Sequence, residues 1–130
     1  MLNTTGRRIF LAVDPMDMRR GIDRLASFVE GQLQADPYAG DLFVFLSRDA
    51  RRVKILAWES SGYWLCMKRL EKGCFSRPRQ RLLATGELTV SLSPAELGLL
   101  LEGIEVHRAT YRRHYHRPEA NAAIASDNSP

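Results

Sequence analysis

Residues 42–70, LFVFLSRDARRVKILAWESSGYWLCMKRL, contain three segments typical of β-strands, separated by polar turns. The first, 42–46, is apolar throughout, as expected of a strand that is buried on both faces. The second, 53–58, alternates with a period of two, and the third, 63–70, is rich in aromatic residues. Because the turns between them are only a few residues long, neighbouring strands must pair antiparallel. The sequence therefore predicts an antiparallel β-meander at the centre of the domain.

The residues before this meander predict a strand followed by a helix. Residues 8–13 are mostly apolar, and apolar residues then recur at three- and four-residue steps between positions 22 and 33, which is typical of an amphipathic helix. Asp14-Pro15 has the residue types favoured at the N-cap and first helical position, so we expect the helix to begin there, with Asp17 as an alternative cap. Its end is expected near Asp36-Pro37.

The residues after the meander predict a last strand and a second helix. A further short strand is expected to begin at Cys74-Phe75, and the last strand is expected at 87–92. Ser93 and Glu96 have the spacing of a capping box, and Gly103 is suited to end the helix that follows. The predicted fold class is α+β, an antiparallel β-meander of about four to five strands packed against two α-helices. Residues 1–106 form the single α+β domain, and residues 107–130 are a basic, then low-complexity tail that we expect to be disordered.

The positive charge of this 130-residue chain is concentrated in blocks. The formal net charge is +4, but residues 48–81 hold ten cations against three acids. Residues 107–117 add four arginines and no acid. Arginine predominates among the cations, and its guanidinium group binds phosphate oxygens in pairs and stacks on flat rings. The charge pattern therefore predicts a polyanionic partner, although a solvated surface that serves solubility is the alternative.

Three groups of residues are candidate binding sites. The candidate DNA-binding surface consists of Arg48, Arg51, Arg52, Lys54, Trp58, Lys68, Arg69, Lys72, Arg77, Arg79 and Arg81. Lys54 and Trp58 fall on the same side of their strand, and an aromatic ring beside cations suits nucleic-acid binding, unless Trp58 is a core residue. The candidate partner-binding group is Arg19, Arg20 and Arg24, although pairing with nearby aspartates at helical spacing is the favoured explanation of these residues. The tail arginines Arg108, Arg112, Arg113 and Arg117 form a candidate flexible basic arm.

Other chemistries have weaker sequence support. Asp14, Asp17, Asp23, Asp49 and Glu59 supply carboxylates for a two-metal nuclease site, but their spacing matches no known pattern. The three histidines all lie in the tail without nearby cysteine or carboxylate ligands, so we expect no metal site and no cofactor. Cys66 and Cys74 are expected to be reduced thiols. No apolar run approaches the length needed to span a membrane, and the N-terminus lacks a secretion signal, so the cytoplasm is the expected location.

Several motifs resemble one protein family. They are VDPMDMRRGIDRL (13–25), DPYAGDLFVF (36–45), RVKILAW (52–58), KRLEKGCF (68–75) and LSPAEL (92–97). Residues 8 to about 106 resemble the small second protein of the Insertion Sequence 66 group of bacterial transposons, the TnpB-type accessory protein. The sequence departs from the family pattern at Cys66 and Met67 and in the basic tail beyond Val106.

The resemblance implies a non-catalytic accessory protein in transposition, a partner of a separate transposase. Together with the charge pattern, it predicts weak binding to DNA phosphates, contact with the transposase of the same element, or both. The alternative is a protein–protein adaptor for the transposase that does not touch DNA. A metal-dependent nuclease is a third hypothesis.

Overall fold

The computed structural model describes residues 3–76 and 86–103, which form five strands and two helices. In chain order these are β1 (Ile9–Ala12), α1 (Ile22–Gly31), β2 (Leu42–Leu46), β3 (Arg52–Glu59), β4 (Gly62–Arg69), β5 (Thr89–Leu92) and α2 (Pro94–Leu101). The predicted α+β class is confirmed, and the described residues contain five strands and two helices where about four to five strands and two helices were expected. Neither described helix is long and apolar enough to cross a membrane.

The five strands form one mixed sheet in the order β4-β3-β2-β1-β5. Strands β2, β3 and β4 pair antiparallel, as predicted for the central meander. The prediction of a purely antiparallel sheet is wrong, because β1 pairs parallel with β2 and β5 pairs antiparallel with β1. The physical reason is the α1 crossover, which returns the chain to the end of the sheet where β1 began, so that β2 starts there too.

The helices cover opposite faces of the sheet and create two core layers. On one face, Leu25 and Val29 of α1 pack with Phe43 and Phe45 of β2. On the other face, α2 packs against β1, β2 and β3 through Leu97 and Leu100. Strand β2 contributes to both layers, and all five of its residues are buried. Its continuous apolar sequence follows directly from this central position.

Helix α1 begins later than the sequence predicts. Its N-cap is Gly21, and neither Asp14-Pro15 nor Asp17 starts the helix. The amide of Met16 donates to the carbonyl of Leu46 at 2.8 Å, and the Asp17 carboxylate accepts from the amide of Arg19 at 2.9 Å. The first bond holds the segment before the helix against the end of β2, and the second fixes a local turn within that segment. The helix also ends earlier than expected, at Gly31.

The second helix begins as the sequence predicts. The Ser93 hydroxyl accepts from the amide of Glu96 at 3.1 Å, and the Glu96 carboxylate accepts from the amide of Ser93 at 2.8 Å. Gly103 has a φ of +82° just after the helix, a conformation that glycine adopts without strain. The predicted strand at Cys74-Phe75 is absent from the described residues, because Phe75 instead packs into the core beside α2. The predicted disordered tail lies outside the described residues.

Candidate nucleic-acid interface

Sheet topology places several predicted DNA-binding cations at one end of the sheet. The first residue of β3, Arg52, pairs with the last residue of β4, Arg69. The last residue of β2, Leu46, pairs with Val53, so the turn that follows β2 lies at this end as well. We call this region the basic end and define it by five exposed cations: Arg48, Arg51, Arg52, Arg69 and Lys72.

A hydrogen-bonded turn presents three of these arginines. The buried Ser47 hydroxyl accepts from the amides of Arg51 at 3.2 Å and Arg52 at 3.0 Å. It donates to the carboxylate of Asp49 at 2.7 Å. Ala50 completes the turn with a φ of +57°. The backbone is therefore fixed from inside while the arginine side chains extend into solvent.

The segment that precedes α1 lies beside this turn. A cavity of about 340 Å³ lies between the segment before α1 and the 47–52 turn. It is lined by Met16, Asp17, Met18, Ser47, Arg48, Asp49 and Arg52. Residues 16–18 immediately precede the partner-binding candidates Arg19 and Arg20, which do not line the cavity themselves. The fold thus brings the segment before α1 beside two DNA-binding candidates, Arg48 and Arg52, that are about 30 residues away in the sequence.

Two carboxylates at this end are held in their ionised form. Hydrogen bonds from the side chain and the amide of Arg19 keep the pKa of Asp17 well below its usual range. The Ser47 hydroxyl and the Arg51 amide lower the pKa of Asp49. Both groups therefore stay negative at neutral pH. Asp17 pairs closely with Arg19, at 2.8 Å, so that pair adds little net charge. The five cations of the basic end outnumber the acids beside them, Asp49 and Glu71.

Two other predicted site residues point into the protein rather than toward solvent. The Lys54 ammonium donates to the carbonyls of Met18 at 2.7 Å and Arg20 at 2.8 Å, and so fastens the pre-helix segment to β3. The Arg20 guanidinium lies over the ring of Phe28, with 5.8 Å to the centroid. Arg24 is exposed on α1.

The cations at the end of β4 make local contacts. The Lys68 ammonium donates to the carbonyl of Leu101 at 2.8 Å, where it meets the negative end of the α2 dipole. Arg69 forms an ion pair with Glu71 at 3.1 Å. Both members of that pair are well exposed, so the interaction is weak and leaves the guanidinium accessible.

Trp58 lies at the opposite end of the sheet from these cations. It is six residues beyond Arg52 on β3, which corresponds to roughly 20 Å along an extended strand. Its ring packs edge-on against the rings of Tyr38 and Tyr63, with ring centroids 4.9 Å and 5.0 Å apart. Burial raises the pKa of Tyr63 to about 12. The structure therefore places Trp58 in a half-buried aromatic cluster and not with the basic end.

The remaining candidate residues fall outside the described parts of the chain. These are Arg77, Arg79 and Arg81 of the DNA-binding group and Arg108, Arg112, Arg113 and Arg117 of the basic arm. Their proposed roles stay predictions.

The carboxylates considered for a nuclease site do not converge. Glu59 is at the Trp58 end of the sheet, where it pairs with Arg7 at 3.5 Å, whereas Asp17 and Asp49 lie at the basic end. Within residues 3–76 and 86–103, no three histidine, cysteine, aspartate or glutamate side chains are grouped so as to hold a metal ion. Cys66 and Cys74 are both free thiols.

The sequence patterns did not lead us to predict that the segment before α1 lies beside the 47–52 turn. The signal was present in the order strand, helix, strand, because a helical crossover of this kind joins parallel neighbours. Parallel strands end at the same edge of the sheet, so the segments after β1 and β2 must lie side by side.

Comparison with known proteins identifies the family. A family model described as IS66 Orf2-like protein matches residues 7–111. The chain belongs to the IS66 Orf2-like family. The resemblance seen in the sequence motifs is therefore confirmed, and the match covers every element of the fold.

Two proteins of Sinorhizobium fredii (strain NBRC 101917 / NGR234) are similar in sequence to this IS66 Orf2-like chain. The uncharacterized protein y4jC is 38% identical over 100 residues, which cover 77% of this chain and 81% of that protein. The uncharacterized protein y4hO is 37% identical over 98 residues, 75% of this chain and 81% of its own length. No solved structure matches the chain.

Proposed function

We propose that this protein is a non-catalytic accessory factor in transposition of an IS66-type element and that it binds DNA phosphates through the basic end. Family membership supports the transposition role. The DNA role rests on one observation, the collection of Arg48, Arg51, Arg52, Arg69 and Lys72 as exposed side chains at a single end of the sheet. No hydrolytic or metal-dependent step is part of the proposal.

The geometry favours contact with the phosphate backbone over recognition of bases. The arginines of the 47–52 turn project from a short, fixed backbone, and neither described helix presents them for insertion into a major groove. Phosphate contacts position a protein on DNA without reading the sequence. We therefore expect weak binding with little sequence preference and a steep dependence on salt.

The test is a mobility-shift titration of the full chain on duplex DNA over a range of salt concentrations. Arg51→Ala/Arg52→Ala removes two exposed cations. If each contacts one phosphate, the affinity falls roughly 10- to 100-fold at about 0.1 M salt, and the slope of log K against log salt decreases by about 2.

A matched control changes the net charge equally at the other end of the molecule. Gln32→Glu/Gln34→Glu adds two acids at exposed positions just after α1, away from the basic end and from β4, and we expect it to keep most of the affinity. Equal losses in both double variants would mean that binding follows net charge and not the basic end. If the wild-type chain does not bind DNA at low salt but co-purifies with the transposase after nuclease treatment, the protein is an adaptor and the DNA proposal is wrong.

A further inference from the structure

Strand β4 forms one edge of the sheet in the described part of the chain. It has eight residues, Gly62–Arg69, and in the described part of the chain no strand pairs with its outer side. The other edge strand, β5, has only four residues. A long edge strand exposes a row of backbone donors and acceptors that readily pair with another strand, and proteins usually shorten or cover such edges.

The side chains of β4 also leave apolar surface uncovered. Trp64 and Met67 are 56% and 58% exposed, and they lie on opposite faces of the sheet. On the Trp64 face, α2 reaches β4 only through the bond of Lys68 to Leu101 and the partly buried Cys66, and an apolar groove of about 310 Å³ lies between the helix and the strand. Its walls include Ile55, Cys66 and Leu101. Exposed large apolar residues on both sides of an unpaired edge indicate a contact surface.

The sequence of β4 is complementary to itself in one arrangement. Its first half contains the aromatic residues Tyr63 and Trp64, and its second half contains the cations Lys68 and Arg69. A parallel pair of β4 strands would bring cations beside cations. An antiparallel pair brings each cation beside an aromatic ring, which is a favourable contact.

We propose that β4 pairs antiparallel with β4 of a second copy of this chain, around a two-fold axis at Cys66. Under this symmetry, each residue before Cys66 faces the partner's residue that lies the same number of positions after Cys66. Trp64 therefore lies opposite the partner's Lys68, and Tyr63 lies opposite the partner's Arg69. Leu65 lies opposite the partner's Met67. Pairing joins the two sheets into one continuous ten-stranded sheet.

This pairing also accounts for the groove. Directly opposed residues in an antiparallel pair project to the same face. Each Trp64 therefore stands beside the partner's Lys68, whose side chain forms one wall of the partner's groove. The indole ring then covers apolar surface that α2 leaves open. Because the eight residues of β4 supply both the aromatic rings and the cations, β4 is complementary to a second copy of itself. We therefore assign the β4 edge to a second copy of this chain.

The first experiment measures the mass of the full chain by sedimentation equilibrium over a concentration series. We expect a dimer, twice the 14.8 kDa of one chain. Trp64→Glu, at an exposed position, should raise the dimer dissociation constant about 30-fold or more. Leu88→Glu is the matched control, because Leu88 is 51% exposed outside β4, and it should dimerise like wild type. Circular dichroism checks that both variants are folded.

The second experiment tests the register with a short bismaleimide cross-linker. The Cys74→Ser chain retains Cys66 and should form a cross-linked dimer, whereas Cys66→Ser should remain a monomer on a denaturing gel. A monomeric wild type, a dimer unaffected by Trp64→Glu, or cross-linking through Cys74 instead of Cys66 would each overturn the proposal. A monomer whose Cys66 is shielded only by added transposase would assign this edge to that partner. DNA binding by the basic end is measured separately, so either proposal can fail without the other.

Discussion

Lys54 shows at the residue scale why a cation in a sequence cannot be assigned to a surface from its spacing alone. Strand alternation correctly places it on the same face as Trp58, but the half-buried ammonium contacts two carbonyls of the pre-helix segment. Arg51, three residues earlier, is exposed in the turn. Two neighbouring cations therefore have different roles, one in holding the fold and one in the proposed binding surface.

Replacement of Lys54 by methionine should destabilise the protein. Lys54→Met keeps the length of the side chain but removes both hydrogen bonds and leaves two carbonyls without them, so we expect a loss of about 1–3 kcal/mol in the free energy of unfolding. Urea denaturation measures it. Lys72→Met is the control for an exposed lysine and should stay within about 0.5 kcal/mol of wild type. Equal stability of the two variants would contradict the prediction, because it would mean that water satisfies the carbonyls of Met18 and Arg20 once the Lys54 ammonium is removed.

Helix α2 shows at the element scale how a local signal fixes a boundary. Ser93, Pro94 and Glu96 satisfy the first turn through contacts within four residues, so the helix start depends little on the rest of the chain. Helix α1 has no comparable cap, and the segment before it is held by a backbone bond to β2 and by the Lys54 side chain of β3. The same kind of sequence signal, Asp14-Pro15, therefore predicted a helix start wrongly where a distant strand competed for the backbone.

Loss of the α2 cap should weaken the helix that forms one wall of the β4 groove. Ser93→Ala removes the hydroxyl acceptor, and we expect a loss of about 1 kcal/mol in unfolding free energy. Amide hydrogen exchange should become faster in α2 before it does in β2. Ser91→Ala, an exposed serine on β5, is the matched control and should leave both measurements nearly unchanged. Unaltered exchange in α2 after Ser93→Ala would contradict a capping role.

At the scale of the whole molecule, the positions of the basic end and the β4 edge determine what a dimer does. The basic end lies where β4 ends. In an antiparallel dimer the two β4 strands run in opposite directions, so the two basic ends lie at opposite ends of the continuous sheet. Such a dimer presents two separated basic ends that face away from each other, and each of them is a surface that we propose to bind phosphate.

A dimer of this form should bridge two DNA duplexes. Immobilised duplex bound by the wild-type protein should capture a second, labelled duplex from solution. Trp64→Glu should still bind the immobilised duplex but lose most of the capture, and Arg51→Ala/Arg52→Ala should lose both. Capture that persists in Trp64→Glu at low protein concentration would show that bridging does not need the β4 pair.

The sequence by itself determined the local features of this protein: the three central strands, the α2 cap, the arginine-rich turn and the family. These depend on residues close together in the chain, through strand alternation, turn length and capping. Only the tertiary structure decided that β1 lies parallel to β2, that Lys54 points inward and that Trp58 lies far from Arg52. Those outcomes depend on which distant segments share an edge of the sheet, because the crossover through α1 sets the direction of every later strand relative to β1.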